Sequence, residues 1–198
     1  MTSTAIPKML NIPRDVDAAR DRLRARSRAT GALVMAAFAS AWAGFGLARS
    51  STPGWTWVLL AALVLAFGVR ALAVLRRNPP VSEPLPADVA AQRRRAGRIF
   101  AWTSLGEGLG ILVAVNVAVN LGYPQWQAAA AMAVVGLHFL PLAYAFACRP
   151  HLVTGGALTA WAVSYPWLCA AGPMAPAGML GAAAILLASV AWALRPIR

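Results

Sequence analysis

Six runs of about 20 predominantly apolar residues follow one another along this chain, each long enough to cross a hydrocarbon core: Thr30 to Leu47, Trp55 to Val74, Ile99 to Leu121, Trp126 to Cys148, Leu152 to Ala171 and Ala175 to Leu194. In lipid a segment must satisfy its own backbone polar groups, which leaves helices or a sealed barrel, and runs of this length suit helices. The expected fold class is therefore all-α, a polytopic transmembrane helical bundle. A chain that is 60% hydrophobic and 12% charged departs in the same direction from soluble domains, which are about half apolar and a quarter charged.

The runs are joined by short connections at Ser50 to Gly54, Gly122 to Gln125, Arg149 to His151 and Gly172 to Met174. Short connections make neighbouring helices antiparallel, so the six spans (about 30–47, 55–74, 99–121, 126–148, 152–171 and 175–194) read as three hairpins. A basic segment, residues 1–29, precedes the six-helix domain of residues 30–198. Within it, Asn11 is placed to cap a short basic helix over Asp15 to Arg28 that leads into the first span. The one substantial loop is 75–98, where Pro79, Pro80, Pro84 and Pro86 exclude regular helix.

A formal charge of +12 in a soluble protein would point to nucleic acid, but here the placement of the charges argues against that partner. Lys8, Arg14, Arg20, Arg22, Arg24, Arg26 and Arg28 precede the first span, and Arg76, Arg77, Arg93, Arg94, Arg95 and Arg98 lie between the second and third. Arg149 follows the fourth, Arg195 and Arg198 follow the sixth, and only Arg49 falls on the other side. Positive charge is retained in the cytoplasm during insertion, so six spans with both termini cytoplasmic account for the pattern. The expected location is the cell membrane, with the bilayer as partner and anionic lipid at the basic face. Cys148 and Cys169 are too few for a disulfide framework and fall toward opposite faces. Trp55, Trp57, Tyr123, Trp126 and Trp167 suit the outer interface, Trp102 and Trp192 the inner one. Dense small residues, among them Ala36, Ala39, Gly106 and Gly110, favour close helix packing and a compact bundle, with a homo-oligomer as a further expectation.

Asp15, Asp17, Asp21, Glu83 and Asp88 lie in polar segments, which leaves Glu107 as the one carboxylate inside an apolar run. An ionisable residue at that depth costs at least about 2.5 to 3.5 kcal/mol and is by default a functional candidate. His138 and Arg70 lie at similar depth, about 15 Å and 9 Å from their basic ends against about 12 Å for Glu107, counted at the helical rise. Either Glu107 and Arg70 form an ion pair or they do without one another; spacing alone leaves this open. Glycines at 106, 108 and 110 surround the acid, and Thr103 precedes it by one turn. Pro141 withholds a donor from the Leu137 carbonyl beside His138, a kink of the kind found around transporter sites. Asn116 and Tyr165 are secondary polar candidates. Each residue has an ordinary structural role as its competitor: a buried pair, a snorkelling arginine or an interhelical hydrogen bond.

Zinc pairs of the His-Glu-x-x-His type, nucleophile elbows and phosphate-cradling loops do not occur in the sequence, so the chain is not expected to be an enzyme, or to need a metal or cofactor. The stretch Val135-Gly136-Leu137-His138-Phe139-Leu140-Pro141-Leu142-Ala143, taken with Gly106-Glu107-Gly108, resembles small six-helix proteins of the bacterial inner membrane. The resemblance spans mainly the third to fifth runs and implies that setting, bringing no catalytic residue or substrate with it. Two functions are expected from these residues: a small transporter or channel in which Glu107, with His138, handles protons or a small cation, or a non-transporting scaffold whose buried polar groups lock its helices together.

Overall fold

The computed structural model describes residues 12–81 and 87–195. It is all-helical, with α1 (Ile12–Ala48), α2 (Trp55–Arg77), α3 (Ala87–Asn120), α4 (Gln127–Ala145), α5 (Arg149–Leu168) and α6 (Pro176–Ala193), and 3-10 turns at Pro124–Trp126 and Gly172–Met174. The expected Asn11 cap and the prolines Pro84 and Pro86 lie outside the described residues. Five helical segments are long and apolar enough to cross a membrane: Ala18–Ala48, Trp55–Arg77, Ala87–Asn120, Pro124–Ala145 and Pro176–Ala193. This is the architecture of a multi-pass membrane protein. α5 has 20 residues but is not among these five segments; Arg149, His151, Thr154 and two glycines interrupt the apolar run in its first half.

Two helices are longer than a bilayer needs. α1 has 37 residues, roughly 55 Å at the helical rise, and runs unbroken from its arginine-rich start into the first apolar run. α3 has 34 residues and begins at Ala87, so much of the 75–98 stretch expected as loop is helix. After Pro86 the sequence Ala87-Asp88-Val89-Ala90-Ala91-Gln92-Arg93-Arg94-Arg95 holds strong helix formers, with an acid in the first turn where it meets the helix dipole favourably. The two extensions meet: Arg20 Nη2 lies 3.4 Å from Asp88 Oδ2.

Packing follows the order α2, α1, α6, α5, α4, α3. The core is built by α1, α4, α5 and α6, whereas α2 buries Ala71 and α3 buries no residue. On α1 the buried residues Ala29, Ala32, Ala36, Ala39 and Ala43 recur at alternating steps of three and four. That spacing makes one smooth stripe, along which α6 packs with Ala182, Leu186 and Val190 among its buried residues. Helices in lipid gain nothing from hiding apolar surface from apolar solvent, so the close backbone approach that small residues permit is what holds them. The α4–α5 crossing uses the same device: a Cβ on Gly155 would stand 2.6 Å from the Gly136 carbonyl oxygen, so only glycine fits there.

Arginine side chains close the ends of the bundle. Arg26 Nη1 donates to the carbonyls of Leu75 at 3.2 Å and Asn78 at 2.6 Å. Arg28 Nη2 reaches those of Trp192 and Arg195, each at 3.4 Å. The last carbonyls of a helix lack intrahelical donors and carry the negative end of its dipole, so a guanidinium there satisfies both needs.

Candidate functional site

His138 and Glu107 meet between α3 and α4. His138 Nδ1 lies 3.5 Å from Glu107 Oε2, with side chains only 8% and 15% exposed. The same nitrogen lies 3.2 Å from the Thr103 carbonyl oxygen. A carbonyl can only accept, so in this contact Nδ1 carries the proton and donates it. Thr103 and Glu107 share a face of α3 because they are four residues apart. One imidazole therefore engages both a backbone oxygen and the carboxylate one turn further on.

The rest of the α3–α4 contact positions this pair. Val134 Cγ1 lies 3.0 Å from where a Cβ on Gly110 would stand, and the rings of Phe100 and Phe146 meet edge to face with centroids 6.3 Å apart. A Cβ on Gly106 or Gly108, the glycines expected to permit close approach, would meet nothing within 4 Å; both lie on the open side of the helix while Glu107 points inward. Pro141 is accommodated inside α4, and the His138 ring reaches the Thr103 carbonyl of the neighbouring helix.

Arg70 does not join the pair. Its Nε donates to the Leu194 carbonyl at 3.0 Å, so it closes the end of α6 beside Arg28. The choice left open by the sequence resolves in favour of His138 as the partner of Glu107. Thr103 takes part through its backbone, since its hydroxyl donates to the Ile99 carbonyl at 2.6 Å. Asn116 is exposed and its Nδ2 donates to Leu112 of its own helix at 2.7 Å. Tyr165 is fully buried and its hydroxyl donates to the Pro173 carbonyl at 3.1 Å, pinning the Gly172–Met174 turn against α5. These contacts bring three of the six candidates, Glu107, His138 and Thr103, together and place the other three elsewhere.

His151 was not singled out in the sequence. Its ring sits 5.7 Å from that of Phe139 and 6.4 Å from that of Phe146, and His138 packs edge-on to the same Phe139 at 5.9 Å. The two histidines of the chain thus flank one phenylalanine. The available signal was that His151 follows Arg149-Pro150 at a helix start, which turns it back toward α4. Among the described residues no group of three or more His, Cys, Asp or Glu side chains is placed to hold a metal ion. No family model, curated protein or solved structure matches this chain.

Proposed function

We propose that the protein is a small proton-handling membrane transporter whose proton site is the Glu107–His138 pair. The observation that supports this reading is a carboxyl group and an imidazole 3.5 Å apart in the apolar part of a chain that otherwise keeps its acids at the edges. Such a pair can take up one proton, on the carboxyl oxygen or on Nε2, and give it up again, and the difference of one charge between the loaded and unloaded forms is the quantity a transport cycle uses. Thr103 fixes the ring so that Nδ1 faces the carboxylate and Nε2 faces away. In this reading α5 is the sixth crossing, for which its 20 residues are long enough at about 30 Å, and both termini lie in the cytoplasm, an orientation that the arginine distribution supports. A bacterial inner membrane and a homo-oligomeric assembly complete the proposal; no enzymatic step, cofactor or metal belongs to it.

A second reading, a scaffold without transport, is favoured by one specific observation: α3 buries no residue, so the pair serves to fasten a peripheral helix. Purified protein in liposomes separates the two. Glu107→Gln keeps shape and removes titration; loss of pH-gradient-driven flux with unchanged thermal stability supports the transporter. Loss of stability with no measurable flux in the parent protein rejects it in favour of the scaffold.

A further inference from the structure

The face of α3 opposite Glu107 has no role in either reading. Nine residues separate Glu107 from Arg98, which is half a revolution at 100° per residue, and around Arg98 the residues Arg94, Arg98, Trp102, Leu105, Leu109 and Leu112 recur in steps of three and four. All six are exposed, Trp102 to 70%. Arg94 and Arg98 make no hydrogen bond or ion pair among the described residues, in contrast to Arg26, Arg28 and Arg70, which close helix ends. Ala91, Gly97 and Ala101 lie beside the two arginines and line with them a shallow hollow of about 650 Å³. A second hollow, of about 370 Å³, is shared by Arg95, Arg98 and Trp102. Further along, Gly106 and Gly108 leave open space on either side of the leucines.

We infer that this face of α3 is a binding site for one anionic phospholipid. Arg94 and Arg98, one turn apart on the same face, hold the phosphate between two guanidinium forks, a geometry that suits a planar donor better than an ammonium. Trp102 stands at the glycerol level, where an indole is best placed at a membrane boundary. From Trp102 to Leu112 the helix rises about 15 Å, one leaflet of hydrocarbon, so an acyl chain lies along Leu105, Leu109 and Leu112 with the glycines leaving room beside it. Charge, boundary and length match along a single strip, and this match commits the site to a lipid over free phosphate, for which the leucines would have no use. The inference needs only that α3 crosses a membrane and is independent of what Glu107 does.

Native mass spectrometry of the full chain, released from mixed bilayers of phosphatidylglycerol and phosphatidylcholine, tests it. The parent should retain phosphatidylglycerol about thirtyfold over phosphatidylcholine, as expected for two basic groups at an anionic surface. Arg94→Gln with Arg98→Gln should abolish that preference, whereas Arg22→Gln with Arg93→Gln removes equal charge from exposed positions outside the strip and should leave it intact. If the first variant fails to insert, Arg94→Lys with Arg98→Lys keeps the charge that directs insertion and should still lower retention about threefold through loss of the fork. Equal retention of the two lipids by the parent, equal loss in both glutamine variants, or undiminished retention by an inserted lysine variant would each overturn the assignment.

Discussion

Arg70 and Glu107, the two oppositely charged residues at closest depth in the apolar runs, are not partners: Arg70 Nε bonds the Leu194 carbonyl at 3.0 Å while Glu107 faces His138 at 3.5 Å. The two contacts sit on different sides of the bundle, one joining α2 to α6 and the other α3 to α4. The effects of Arg70→Leu and Glu107→Gln on stability, whatever the size of each alone, should therefore add within about 0.5 kcal/mol, as those of unconnected sites do. A double-mutant cycle on detergent-solubilised protein measures this. Rescue of one change by the other would show a coupling that these contacts do not contain.

For the Glu107 pair itself, His138→Leu leaves a carboxyl group facing an apolar side chain and should cost more than Glu107→Gln, which keeps a polar side chain of the same shape beside the ring while the Thr103 carbonyl still accepts from Nδ1. Breaking a buried pair by removing one member costs about 3 to 5 kcal/mol when the other stays charged. Midpoints of thermal unfolding for the two single variants should fall in that order; the reverse order would mean that the carboxylate, not the ring, depends least on its partner.

The glycines divide into two groups with opposite expectations. Gly155→Ala places a Cβ 2.6 Å from the Gly136 carbonyl oxygen and should separate α4 from α5, with a loss of several kcal/mol or failure to accumulate. Gly106→Ala and Gly108→Ala meet open space and should each raise stability by up to about 1 kcal/mol through helix propensity. Expression level and unfolding temperature across the three variants check both halves.

Reporter fusions test the crossings. Fusions after Arg28, between Asn78 and Asp88 and at Arg198 should report the cytoplasm, and fusions at Ser51, Pro124 and Pro173 the exterior. The decisive positions are Arg149 and Pro173, on either side of α5: the same side for both would mean that α5 does not cross. Arg93, Arg94 and Arg95 changed together to Glu should disturb orientation, because positive charge next to a span sets it.

Much of the fold was legible in the sequence because lipid leaves few choices. The apolar runs mark the helices, the arginines mark their ends, and the connection at Gly122 to Gln125 or Gly172 to Met174 can only be a turn. A residue count along each run is enough to group Glu107 with His138, and the two side chains do meet. What a count along one helix does not contain is the direction each side chain takes relative to another helix. Arg70 has the right charge and depth for Glu107 but projects toward α6, and Gly106 borders Glu107 yet faces outward because consecutive residues differ by 100°. The length of α3 was misjudged for a local reason: the prolines were extended in influence past Pro86, although the residues that follow are strong helix formers.

The unbroken course of α1 makes its arginine-bearing arm a single crankshaft with the first span. Arg26 and Arg28 clasp the ends of α2 and α6 while Arg20 meets Asp88 at the foot of α3, so the arm's rotational phase is tied to three other helices. One residue inserted between Arg20 and Arg26 would turn everything before it by about 100° and swing Arg20 away from Asp88 without loosening Arg26 or Arg28. Seven inserted residues, close to two full turns, would restore the heading but lift the arm about 10 Å along its axis. Anything docked on this arm of α1 is thereby steered by the bundle as an indexed shaft, and a twist applied to the arm is passed along the helix into the apolar run instead of being absorbed by a slack joint.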